Sequence, residues 1–225
     1  MATYSTSQAT RTAFIMAAGE LFAERGLDAV SIRDIAARAQ QNIGNIHYHF
    51  GGKQGLLKAV IDYALEPSYK DLFRQYLVDH EALFHDRPGR AQLVAGLIEL
   101  HFKIVFAEQR PLWCGVLISQ LLDRKLPIDE DIFTTGVRPF IDAFLTLYQR
   151  VSGDRNRDNA IAWLLTIAAP TQLLISDMFG GKQIRHEYKL DEDMIWKKLL
   201  PMTVRSALAN VNLEEETATA LTTLS

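Results

Sequence analysis

The chain has 225 residues, 48% of them apolar, with a single cysteine and a formal net charge of −3. That is enough apolar material for one or two packed domains, while Cys114 standing alone excludes a disulfide framework or a zinc site built on several thiolates and suits a reducing cytoplasm. No apolar run approaches the ~20 residues of a membrane span, and residues 1–12 are polar and hydroxyl-rich rather than a secretory signal, so the expectation is a soluble, cytoplasmic protein with no membrane partner.

Apolar residues recur at helical spacing nearly throughout, and no stretch alternates with period two between hairpin turns, which predicts an all-α fold. The first helix gathers Phe14, Ala17, Ala18, Leu21 and Phe22 on one face and stops at Gly26, a left-handed cap with Leu27 folding back. Ser31, with Asp34 three residues on, is a capping-box pattern opening a second helix that buries Ile32, Ile35, Ala36 and Ala39. After the short turn Gln40-Gln41-Asn42, a third helix runs to about Phe50. Three short helices with so tight a final turn outline a helix-turn-helix domain over residues 1–55.

A linking helix carrying Leu56, Leu57, Val60, Ile61, Ala64 and Leu65 leads into a second domain over residues 56–211, and Pro67 kinks or interrupts it. Further helices are expected at about 88–108, 111–123, 129–151, 155–179 and 192–211. Pro139, Pro170 and Pro201 fall inside the last three and bend them or delay their starts. Residues 212–225, with Glu214, Glu215 and Glu216 ahead of a Thr/Ala run, read as a frayed or disordered tail.

Residues 31–53 read SIRDIAARAQQNIGNIHYHFGGK. This stretch resembles the helix-turn-helix and following turn of the TetR/AcrR regulators, through Asn42, Ile43, Gly44, Asn45, Ile46, His47, Tyr48, His49, Phe50, Gly51, Gly52, Lys53, Gln54 and, one place late, Leu56. The motif spans about residues 11–60, and the remainder is similar to the family only in helical layout. The resemblance implies a transcriptional repressor that binds a palindromic operator in double-stranded DNA as a homodimer and is released by a small hydrophobic effector taken up by the C-terminal domain. It implies no cofactor. By the same resemblance, DNA contacts fall on Ser31, Arg33, Asn42, Ile43, Gly44, Asn45, His47, Tyr48, His49 and Lys53.

The residue types suit that task on physical grounds. A helix entering the major groove needs one apolar face for docking, here Ile46 and Phe50, and another able to reach base edges and phosphates. Gly44 lets the backbone approach a phosphate closely, Asn45 can read an adenine edge bidentately, and the Tyr48 hydroxyl and His49 can donate to phosphate or base. Ser31, Arg33, His47 and Lys53 fit phosphate anchors. His47 departs from a usual Tyr, so a contact that is either weaker or pH-sensitive is expected there. Gln40-Gln41 replaces a common Gly-Val, so a differently hydrogen-bonded turn is expected. With five Lys/Arg against four acids, residues 1–55 carry only 5 − 4 = +1, so affinity should lean on two half-sites, one helical turn (~34–36 Å) or a larger in-phase distance apart, and on neutral hydrogen bonds.

Other constellations carry less. His47 and His49 point about 200° apart on a helix, unsuitable for a shared metal. His80, Glu81 and His85 miss the four-residue His spacing of a zinc protease helix, and Gly180-Gly181-Lys182 lacks the full spacing of a phosphate loop. His101, Phe102, Phe106, Trp113, Cys114, Leu117, Phe144, Tyr148 and Met178 either line an effector pocket or pack a core. Trp163, Leu164, Leu165, Ile167, Leu173 and Leu174, with Met194, Ile195, Leu199, Leu200, Val204 and Leu208, form either a two-fold four-helix dimer interface or a monomer core. A DNA-bound adaptor answering to a protein partner is the alternative function. No nucleophile elbow, spaced metal ligands or paired carboxylates support an enzyme.

Overall fold

The structure is a computed structural model that describes residues 2–65, 67–106, 111, 113–122, 134, 137–175, 186–188 and 191–224. The all-α fold is as expected, with helices α1 (Ala2–Arg25), α2 (Ile32–Arg38), α3 (Gly44–Phe50), α4 (Lys53–Ala64), α5 (Pro67–Asp79), α6 (Arg87–Phe106), α7 (Trp113–Leu122), α8 (Arg138–Ser152), α9 (Arg157–Ile175), α10 (Glu192–Met194), α11 (Leu200–Ala209) and α12 (Thr217–Leu221). Two compact units result: Met1–Glu66 with Arg110–Pro127, and Pro67–Gln109 with Ile128–Ser225. This division differs from a boundary at residue 55, because α4 packs on α1 and α7 in the first unit.

In the first unit, α1 buries Phe14, Ile15, Ala17, Ala18, Leu21 and Phe22 against Ile35, Ile46, Leu56, Leu57, Val60 and Ile61. Gly26 ends α1 at φ +79°, its amide bonded to the Phe22 carbonyl at 2.9 Å, so the left-handed cap stands where the sequence puts it. The polar first residues are part of α1, which starts at Ala2. From α7 come Trp113, Cys114, Val116 and Leu117, all buried. The Trp113 ring stacks on Tyr63 at 5.6 Å and lies so flat against α1 that a Cβ on Gly19 would sit 2.6 Å from it.

Proline shapes the second unit. Pro67 does interrupt the linking helix, but it also opens α5, because the first turn of a helix needs no proline N–H. Pro139 sits in the first turn of α8, for which the start expected at Asp129 lies outside the described residues. Pro170 is tolerated inside α9. Ahead of Pro201 the helix widens into a π-helical turn over Ile195–Leu199, which relieves the clash between a proline ring and the preceding carbonyls.

The core of this unit joins Phe73 and Leu77 of α5, the inner face of α6, and Phe144, Leu147, Trp163, Ile167, Val204 and Leu208. Trp163 donates its indole N–H to the Ala207 carbonyl at 2.9 Å, pinning α9 to α11. Residues 212–224 are not a frayed tail: Leu213 and Ala220 are buried, α12 packs along α6, and Arg87 donates to the Asn212 carbonyl at 2.7 Å. Among the described residues no helix is long and apolar enough to cross a membrane.

Candidate nucleic-acid interface

Local chemistry sets the position of α2. Ser31 caps it with a complete capping box: its hydroxyl accepts from the Asp34 amide at 3.2 Å, while the Asp34 carboxylate accepts from the Ser31 amide at 2.9 Å and from the Ser31 hydroxyl at 2.6 Å. Those hydrogen bonds hold the Asp34 carboxyl below its ordinary value. Arg38 ties α2 to α1 through Glu20 at 3.0 Å and Glu24 at 3.4 Å.

At its far end α2 closes in a Schellman turn. The Gln41 amide donates to the Ala36 carbonyl at 3.0 Å and the Gln40 amide to the Ala37 carbonyl at 3.2 Å. The hydrogen bonds are therefore the ordinary ones for such a turn, contrary to expectation, and the departure appears as backbone strain: Gln40 sits at φ +53°, the left-handed region that disfavours a Cβ by about 1 kcal/mol. Gln40→Gly is accordingly expected to stabilise the first unit by about 0.5–1 kcal/mol, offset in part by the extra freedom glycine gains on unfolding. Urea unfolding checks this, and an unchanged or lower midpoint would show that the strain is relieved elsewhere.

The Asn42 side chain accepts from the Gly44 amide at 2.8 Å and so starts α3. Ile46 is fully buried beneath α3, and Phe50 packs edge-on to Phe14 at 6.2 Å with the Arg11 guanidinium over its other side at 5.4 Å. Gly51 ends the helix at φ +71°. Gly55 then lies so close under α3 that a side chain there would run into the Phe50 carbonyl oxygen. The outer face of α3 presents Gly44, His47 and Tyr48, with Asn45 and His49 half-exposed beside them and Ile43 exposed at its start; Tyr48 is 82% exposed. Arg33 is also exposed on α2.

The residues expected to touch DNA thus divide. Arg33, Ile43, Gly44, Asn45, His47, Tyr48 and His49 offer exposed or half-exposed groups, whereas the side chains of Ser31, Asn42 and Lys53 hydrogen-bond within the unit; the Lys53 ammonium donates to the Leu27 carbonyl at 2.7 Å. Sequence alone gives no sign of that last bond, because its partners are 26 residues apart.

The residues expected to line an effector pocket are spread over both units. Trp113, Cys114 and Leu117 belong to the first unit, and Met178 lies outside the described residues. His101, Phe102, Phe106, Phe144 and Tyr148 are in the second, where His101, Phe102 and Phe144 are core residues with ring centroids 6.1 and 6.3 Å from His101. Burial pushes His101 down to about 4. Two surface clefts of this unit have other linings: about 350 Å³ bounded by Tyr76, His80, Gln92, Glu99, Lys103 and Thr223, and about 430 Å³ bounded by Asp71, Arg74, Val78, Glu81, Asp142 and Arg150 among others. His80 stacks on Tyr76 at 4.3 Å, and no cluster of metal-ligating side chains occurs among the described residues.

Comparison with known proteins meets this geometry. Residues 14–60, from the core of α1 into α4, match the family model of bacterial regulatory proteins, tetR family. A stretch of 51 residues is 55% identical to the HTH-type transcriptional repressor Rv3405c of Mycobacterium tuberculosis, covering 23% of this chain and 27% of that protein, so the chain spans about a quarter of that relative's length. Across 210 residues it is 29% identical to the HTH-type transcriptional repressor BepR of Brucella suis, covering 92% of this chain and 95% of the relative. The fold is similar to that of a Clostridium perfringens putative fatty acid metabolism regulator, with a TM-score of 0.57 at 15% identity over 89% of this chain and 97% of that one.

Proposed function

Because the chain belongs to the tetR family of bacterial transcriptional regulators, we propose that it is a homodimeric repressor whose α3 reads a palindromic operator. The observation that carries this reading is the two-faced α3: Ile46 is sealed into the first unit while Tyr48 stands 82% exposed, with His47 exposed and Asn45 and His49 half-exposed around it. Such a helix offers amide, phenol and imidazole groups to base edges and phosphates from a rigid support. With little net charge in the module, two reading heads on one duplex supply what a basic stripe would otherwise provide.

Dimerisation is assigned to α9 and α11. One face of α9 buries Trp163, Leu164, Ile167 and Leu174 within the chain, whereas Ala162, Leu165, Ala169 and Leu173 are exposed on another, and Met202 of α11 is 62% exposed. The buried face is core of the chain itself, and the exposed apolar face is the one offered to a two-fold partner. Ile195, Leu200, Val204 and Leu208 belong to the inner face, and Met194 to the outer. Effector release follows if a small hydrophobic ligand binds the second unit more tightly in the state that does not fit DNA. The clefts there are of small-ligand size.

Selection of bound sequences from a random DNA pool tests the reading. Enrichment of a palindrome is the expected result; a folded dimer that enriches nothing would favour the adaptor role. On the selected site, Tyr48→Ala is expected to weaken binding about tenfold per reading head, roughly 1.4 kcal/mol, with the dimer intact by sedimentation. Undiminished affinity would remove α3 as the reading helix.

A further inference from the structure

We infer that Lys53 is a positioning residue that sets the tilt of α3 from inside the protein, rather than an anchor for DNA phosphate. Lys53 is the first residue of α4. A cation there faces the positive end of the helix dipole, an unfavourable place unless something compensates. The compensation is the Leu27 carbonyl, 2.7 Å from its ammonium, in the turn between α1 and α2 just beyond the Gly26 cap. The contact is partly buried, and it reaches across 26 residues of sequence.

Its consequence for α3 follows from the short joint between α3 and α4. Gly51 and Gly52 make the turn at φ +71° and +124°, the Leu56 amide donates to the Gly52 carbonyl at 3.0 Å, and Gly55 lies against the Phe50 carbonyl. With so little slack, fixing the start of α4 to the α1–α2 turn also fixes the end of α3. Asn42 secures the other end through Gly44. The reading helix is thus held at both termini by polar side chains that hydrogen-bond within the unit, which leaves Tyr48, Asn45 and His49 on a rigid rod.

This inference rests on the DNA-reading proposal, so its test has one arm with DNA and one without. A phosphate contact and an internal tie differ in salt dependence. Losing one phosphate contact lowers the slope of log K against log salt by about 0.9, hence about 1.8 for the two copies in a dimer, whereas losing a positioning contact leaves the slope unchanged. For Lys53→Met the expected result is an operator affinity about tenfold lower with an unaltered slope, and Lys53→Gln, whose shorter neutral amide still donates, should recover part of the loss. A slope lower by about 1.8, or an affinity that does not change, would overturn the inference. Without DNA, Lys53→Met should raise amide exchange in α3 and at Val30 while thermal unfolding shows the variant folded; unchanged exchange overturns the inference even if no operator is found. Should Lys53→Met unfold, the same two measurements on Lys53→Gln decide.

Discussion

Leu165→Asp is expected to convert the proposed dimer to monomers and to lower operator affinity at least a hundredfold, without disturbing the fold of the chain. Leu165 is 59% exposed, and Leu173, two turns along the same stripe of α9, is 40% exposed. Ala162 and Ala169 complete the stripe, small residues beside large ones as helices require for close approach. In a two-fold interface one substitution enters twice, so two carboxylates face burial without partners, at several kcal/mol together. Losing the second half-site removes an effective-concentration advantage of about 10²–10⁴. The buried face of α9 is untouched, so helical content and thermal unfolding of dilute protein should match the parent. Analytical ultracentrifugation reads the result. A variant that stays dimeric would move the interface to another face, and one that becomes monomeric yet keeps full operator affinity would show that the two heads do not act together.

Legibility in the sequence follows the range of the forces involved. The Gly26 cap, the Ser31–Asp34 box and the buried stripe of α1 act within a few residues of one another, and each stands in the structure where its pattern lies. The same holds for the outward residues of α3, since Ile46 and Phe50, four apart, fix which face is turned in. Long-range packing is what local pattern misses. Trp113, Cys114 and Leu117 have the composition of a pocket wall, yet they fill the space between α1 and α4 because Gly19 leaves room for an indole ring. The last residues look too polar to order, but Leu213 and Ala220 find a partner in α6 that no local signal names. For α5 the signal is present, in Leu72, Phe73, Tyr76 and Leu77 at helical spacing, and only the treatment of Pro67 as a stop conceals it: a proline that ends one helix can begin the next.

Acidification is expected to destabilise the second unit by about 2 kcal/mol between pH 7.5 and pH 5, through His101. This imidazole is buried among Phe102, Phe140 and Phe144, with centroid separations of 6.1, 5.1 and 6.3 Å. Its Nε2 lies 2.9 Å from the Thr171 hydroxyl, whose own proton goes to the Ala168 carbonyl at 2.8 Å. The hydroxyl oxygen must therefore accept, which makes Nε2 the protonated nitrogen and leaves Nδ1 to take any second proton in an apolar surround. Burial accordingly lowers the folded-state value to about 4, against 6.5 for the exposed side chain. Because the unfolded chain binds the proton first, the contribution is complete above pH 6.5 and is lost as pH falls toward 4, at about 1.4 kcal/mol per unit. The depressed carboxyls of Asp34, Glu81 and Asp154 lose their contributions only below their ordinary value of about 4, outside this window; Asp34 and Glu81 are exposed and Asp154 is half-exposed. Urea unfolding of the parent and of His101→Gln at pH 7.5, 6 and 5 separates the cases. Glutamine can still donate to Thr171 but does not titrate, so its pH dependence should be nearly flat across this range even if its stability is lower throughout. Equal slopes in the two proteins would mean that His101 takes up its proton without leaving the folded state, and that the aromatic core around it opens to water more readily than its packing implies.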